Sequence, residues 1–182
     1  DNIRTNGKIA ISLRDNDELN SVKKTHGDDT ILMCSSMGRM VRFNENDIRV
    51  MGRTASGVKA ITLKNDIVVS GILYNENAEY LTIITDKKTA KRVKLQEFEI
   101  TSRARRGIQV VREVKTNPYA IIKAFIIHYK EMLNIKTASE LIEIKLTEIP
   151  IAERLSTGST IAKTKILDVY PNYELVSSVV EE

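Results

Sequence analysis

The stretch MGRTASGVKAITL, residues 51–63, sets a glycine, an arginine, three small residues and a second glycine ahead of a strand-like run. Its second half, GVKAITL, agrees closely with GKIAISL at residues 7–13, sharing four of seven letters. Gly7, Gly57, Gly107 and Gly158 are spaced by 50, 50 and 51 residues, so the chain has a period of about fifty. Arg53, Arg103 and Arg154 each lie four residues before their glycine. Phe43, Val93 and Ile144 share one register, and Ile48, Phe98 and Ile149 share another. MGRTASG, TSRARRG and AERLSTG are thus versions of one seven-residue slot, and DNIRTNG at residues 1–7 reads as a fourth with its arginine displaced by one. The approximate repeats are 7–56, 57–106, 107–157 and a partial 158–182 within one domain, the expectation being a piece of a longer array.

Within the period the pattern is β. In ELIEIKL, Ile142, Ile144 and Leu146 fall on one face and Leu141, Glu143 and Lys145 on the other, and RMVRF and KRVKL alternate the same way. Val41, Phe43, Val93 and Leu95 are expected in the core, with Arg42, Arg92 and Lys94 on the solvent side. NEND, KND, NENAE and TDKK supply turn chemistry between the runs. Residues 118–136, PYAIIKAFIIHYKEMLNIK, have apolar spacing that also suits a helix; the repeat register assigns them to strands. The predicted fold is all-β and propeller-like, with four short strands in each blade and about three to four blades.

Composition narrows the function. The 182 residues are 42% hydrophobic and 29% charged, which suits a folded globular chain, and no apolar run approaches a membrane span. No signal-peptide pattern opens the sequence, so it reads as intracellular. Cys34, the lone cysteine, lies in the apolar run TILMC and is expected to be a buried thiol. His26 and His128 have no metal ligand or acid partner at telling spacing, and no nucleophile elbow or phosphate loop appears, so neither a metal site nor catalytic residues are expected.

Charge carries the functional signal. From Lys87 to Arg112 nine cations stand against Glu97 and Glu99, a balance of +7 in a chain whose total is +4. Residues 140–182 balance at −4. A basic stripe on a β scaffold is the footprint of a polyanion, nucleic acid above all, although a solvated surface gives the same pattern. There is no tryptophan and no aromatic interleaving, which argues against a single-strand stacking platform, and no recognition helix or zinc spacing reads bases. Duplex phosphates are the expected target. Glycine in each slot has a geometric explanation, but a structural salt bridge does not account for Arg103, Arg105 and Arg106 together. The expected DNA contacts are Lys8, Arg42, Arg53, Lys59, Lys91, Arg92, Lys94, Arg103, Arg105, Arg106 and Arg112. A propeller used as a protein-binding hub, with the acidic residues 140–182 in its interface, is the rival reading.

GRMVRFNENDIRVMGRTASGVKAITL and KRVKLQEFEITSRARRGIQVVREVKTNP resemble consecutive blades of the C-terminal domain of the A subunit of bacterial type IIA topoisomerases, with IPIAERLSTGS a further match. The resemblance implies a β-pinwheel whose blades exchange strands and whose basic rim bends or wraps duplex DNA. It implies a parent enzyme that passes one duplex through another using ATP and Mg in other regions, and no cofactor in this domain. The implied partners are the remainder of the A subunit together with an ATPase B subunit in the bacterial cytoplasm and nucleoid. Gyrase carries Gln-Arg-Arg-Gly-Gly-Lys-Gly in this slot; none of the slots here matches it, and TSRARRG followed by VVREVKTNP is more similar to topoisomerase IV of Gram-positive bacteria.

Overall fold

The computed structural model describes residues 7–74, 78–127 and 131–172. The first six residues of DNIRTNG, His128 and the last ten residues of the acidic segment lie outside them. The described elements are strands and single 3-10 turns: β1 (Thr30–Ser35), β2 (Arg39–Asn44), β3 (Val68–Tyr74), β4 (Tyr80–Thr85), β5 (Thr89–Lys94), β6 (Ile108–Gln109), β7 (Ile121–Phe125), β8 (Met132–Thr137), β9 (Leu141–Lys145), β10 (Ser159–Thr160) and β11 (Ile166–Pro171). The 3-10 turns Glu45–Asp47, Leu95–Glu97 and Leu146–Glu148 follow β2, β5 and β9, the same place in each repeat. The ambiguous segment 118–136 contributes β7 and the start of β8, as the register requires.

Three sheets form, ordered β3-β1-β2-β6, β7-β4-β5-β10 and β11-β8-β9. In each, a tight antiparallel hairpin is central, and a third strand pairs with the hairpin's first strand. The fourth strand is borrowed. After β5 the chain runs back to the first sheet, where Ile108 pairs with Met40 and Gln109 with Arg39, and then returns as β7 to its own sheet. After β9 it does the same, pairing Ser159 with Ala90 and Thr160 with Thr89 before returning as β11. Each sheet is therefore tied to the next by strand exchange.

The sheets stack face to face, which changes what the period of two means. Leu32, Cys34 and Met40 meet Leu81, Ile83, Val93 and Phe98 in the core between the first and second sheets. Ile84, Ala90 and Phe125 meet Leu133, Ile135 and Ile149 between the second and third. Val41, Phe43 and Ile61 form a smaller core on the far face of the first. Alternate residues thus enter different cores, and in β4 Leu81, Thr82, Ile83 and Ile84 are all fully buried. Cys34 is sealed as expected; burial, then the Asp66 carboxylate, pushes its thiol up to about 12.

Candidate nucleic-acid interface

The glycine slots at Gly107 and Gly158 each lead into an exchanged strand. Gly107 has φ +75°, and a Cβ on it would overlap the Met40 carbonyl; Gly158 has φ +79°, and a Cβ would lie 2.6 Å from the Ala90 oxygen. Only glycine meets both demands, a left-handed backbone and a strand pressed against it. The slot arginine is likewise turned to the backbone. Arg103 donates from Nε to the Asp47 carbonyl at 3.0 Å and from Nη1 to the Lys59 carbonyl at 3.0 Å. Arg154 donates from Nη1 to the carbonyl of Gln109, which holds the position of Lys59 one repeat later.

Two expected DNA contacts are also inter-repeat latches. Arg42 lies 5.5 Å over the Tyr74 ring and donates from Nη1 to the carbonyls of Leu95 and Phe98 at 3.0 and 2.7 Å. Arg92, one period on, lies 5.3 Å over Tyr80 and donates from Nε to the Ile149 carbonyl at 2.7 Å. Both are half-buried, because the face opposite Phe43 and Val93 packs against the next repeat instead of facing water.

Lys91 departs furthest from its expected place. It is 1% exposed, and its Nζ donates to the carbonyls of Val110, Arg154 and Ser156 at 2.7, 2.5 and 2.6 Å, enough to engage all three ammonium hydrogens, with the Glu153 carbonyl a longer acceptor at 3.4 Å. It has no hydrogen left for a phosphate; its role is to gather the AERLSTG turn against the second sheet. Burial pulls this ammonium down to about 8, with the Glu97 carboxylate opposing and the Arg154 guanidinium adding to the fall.

Lys8, Arg53, Lys59, Lys94, Arg105, Arg106 and Arg112 are exposed, and none is held in an ion pair with another described residue. The fold brings Arg106 and Arg112 into one cleft of about 380 Å³ with Arg39, Lys64 and Lys115, five cations against Asp66 and Glu113. Arg105 and Arg106 also border a second cleft of about 510 Å³ beside Arg42 and Arg154. Arg39, Lys64 and Lys115 escaped the sequence reading. A periodic signal was present for Lys64: Arg14, Lys64 and Lys165 each lie seven residues after a slot glycine, and Lys115 lies eight after.

Among the described residues no group of His, Cys, Asp or Glu could hold a metal ion, and no helix is long and apolar enough to cross a membrane. His26 folds onto its own turn, its backbone N–H donating to Asp29 Oδ2 at 2.9 Å and its ring Nδ1 lying 3.2 Å from the same oxygen.

Strand-exchanging sheets built on a fifty-residue period, with cations that form no ion pair among the described residues gathered at a joint, define a propeller-like β module with a basic surface. The family model for the DNA gyrase C-terminal domain, beta-propeller, matches residues 1–26, 29–74 and 79–128. The chain is 36% identical over 159 residues to the DNA gyrase A subunit of Ureaplasma parvum serovar 3, covering 87% of this chain and 19% of that protein. It is 35% identical over 153 residues to the DNA topoisomerase 4 A subunit of Bacillus subtilis strain 168, covering 83% and 19%. Among solved structures, the crystal structure of the C-terminal domain of DNA topoisomerase IV aligns with a TM-score of 0.84 and 29% identity over 89% of this chain and 52% of that one. A DNA gyrase A C-terminal domain aligns with a TM-score of 0.78 over 91% of this chain and 58% of that one; at 17% identity it speaks for the fold alone. The chain belongs to the C-terminal domain family of the A subunits of type II DNA topoisomerases. It spans about one fifth of the length of the curated relatives it matches.

Proposed function

We propose that this domain binds and bends duplex DNA for an ATP-dependent type II topoisomerase, presenting DNA segments to the strand-passage machinery of topoisomerase IV in decatenation and supercoil relaxation. The observation that carries the reading is the cleft holding Arg39, Lys64, Arg106, Arg112 and Lys115 at the joint between repeats, with Arg105 beside it. Cations without ion-pair partners among the described residues, at that density, suit a row of phosphates, and they provide affinity without base readout. Bending 20 to 30 base pairs by 40 to 90° costs about 1 to 6 kcal/mol, so contacts spread over successive repeats are needed to hold a curved path. Lys8, Arg53 and Lys59, exposed in the earlier repeats, add to the cationic set.

The domain works in the bacterial cytoplasm with the remainder of its polypeptide and with an ATPase B subunit, which supply ATP and Mg chemistry from other regions, while this module binds no cofactor. The absence of the gyrase box from all slots supports topoisomerase IV over gyrase. The 36% identity to a gyrase relative keeps the DNA-wrapping domain of gyrase as the second reading.

The test is a titration of the chain against a duplex of about 100 base pairs, shorter than the persistence length of about 150, at two salt concentrations. Binding that weakens steeply with salt is expected. Absent or salt-insensitive binding would overturn the reading in favour of a protein-binding hub.

A further inference from the structure

The hairpin between β1 and β2 turns on residues 36–38, and every backbone polar group there is engaged. Ser36 donates to the Ile67 carbonyl at 2.8 Å and accepts from the Ile121 N–H at 2.7 Å. Gly38 donates to the Ser35 carbonyl at 3.1 Å and accepts from the Val110 N–H at 2.8 Å. Between them Met37 donates its N–H to Asp66 Oδ1 at 3.0 Å, and its carbonyl accepts from Gln109 Nε2 at 2.9 Å. The tip is thus fixed from segments far apart in the chain. On this rigid mount Met37 is 56% exposed and belongs to none of the three cores. It lines the cleft that holds Arg39, Lys64, Arg106, Arg112 and Lys115.

The mount recurs, but its occupant changes. In the second sheet Lys88 donates to the Thr85 carbonyl at 3.1 Å and accepts from the Ile161 N–H at 2.9 Å, as Gly38 does with Ser35 and Val110. The residue at the place of Met37 is Lys87 there, paired with Asp86 at 3.5 Å, and Ala138 in the third repeat. The fold therefore asks for no particular side chain at the tip. Met37 also stands at a joint that β6 has closed, so its exposure does not come from an unfilled edge.

Phosphates that meet the cations of the cleft bring the base stack to this methionine. Resting on the DNA reading above, we propose that Met37 is a wedge that enters the minor groove of the bound duplex and opens one base step, placing a kink at this joint. An unbranched side chain is slender enough to slip between bases, and its thioether gains from contact with aromatic faces. A groove about 6 Å wide admits a tip one residue across, while the phosphates along its walls fall to the surrounding cations. Kinking is easiest at pyrimidine–purine steps, so the domain acquires a preference for deformable sequence without a hydrogen bond to any base edge. Lys87 offers charge and Ala138 too little reach, which confines the kink to the first joint.

Two duplexes of about 30 base pairs test this, one with a TA step about every 10 base pairs carrying 2-aminopurine at the adenine, the other with A-tracts instead. The wild-type chain is expected to bind the TA duplex several-fold more tightly and to raise 2-aminopurine fluorescence as the bases unstack. Met37→Ala should remove both effects while the salt slope and thermal stability stay as in the wild type, and Met37→Leu should keep most of both. Equal wild-type affinity for the two duplexes overturns the wedge, as does a Met37→Ala chain that retains the preference and the fluorescence. Steep salt dependence in those same titrations leaves the DNA reading standing. Absent or salt-insensitive binding overturns that reading, and the wedge with it.

Discussion

Gly107 and Gly57 share a repeat position and a left-handed backbone, but only Gly107 has a strand carbonyl against it. Alanine at either position strains φ by about 1 to 2 kcal/mol, and at Gly107 overlap with Met40 adds about 1 to 3 kcal/mol. Urea denaturation should therefore find Gly107→Ala clearly less stable than Gly57→Ala; equal losses would mean that the close approach carries no energy. Lys91 yields a pH prediction. Its proton leaves the folded chain at about 8 and the unfolded chain at 10.5, so between those values the unfolded state binds more protons and this group makes stability rise with pH. Below about 8 it contributes a constant cost from burial. Relative to a Lys91→Met variant, wild-type stability should climb by up to about 1.4 kcal/mol per pH unit in that window. Cys34, raised from 9.0, works in the opposite direction above pH 9 but cancels in the difference. The burial of Lys91 was legible in KRVKL, where it shares the parity of Val93; lysine's usual preference for water hid it.

At the scale of the element, the alternation in RMVRF and KRVKL correctly marks strands and places Val41, Phe43, Val93 and Leu95 inside. It misplaces Arg42 and Arg92, because alternation records two faces and not what lies against each. A face that looks solvated in one repeat is covered by the next, and the arginine stem packs while its guanidinium finds carbonyls. β6 and β10 are two residues long, too short for any periodic signal, and only the glycine register points to them. Arg42→Ala deprives two carbonyls of a charged donor and should cost about 1 to 3 kcal/mol. Thermal unfolding should show that loss, with DNA affinity changing far less than on removal of Arg106 and Arg112. A large affinity loss with unchanged stability would return Arg42 to the DNA surface.

Over the whole molecule, stacked sheets joined by exchanged strands turn a sequence period into a regular series of joints, and the basic cleft lies at one of them. The sequence showed the excess of positive charge between Lys87 and Arg112 but not its sorting. Lys91 and Arg92 turn inward, while Arg39, Lys64 and Lys115 arrive from segments far apart in the chain because the first sheet borrows β6 from the next repeat. Contacts that depend on tertiary approach leave no local pattern, and only the recurrence of Arg14, Lys64 and Lys165 seven residues after their glycines pointed to one of them. The central claim is that the cations gathered there meet duplex phosphates. The most direct measurement is the salt dependence of duplex affinity for the wild-type chain and for Arg106→Ala with Arg112→Ala and Lys115→Ala. With one phosphate per cation, the slope of log K against log salt should shrink by about 0.9 per contact, or roughly 2 to 3 in all, with weaker binding and unchanged thermal stability. An unchanged slope and affinity would contradict the account.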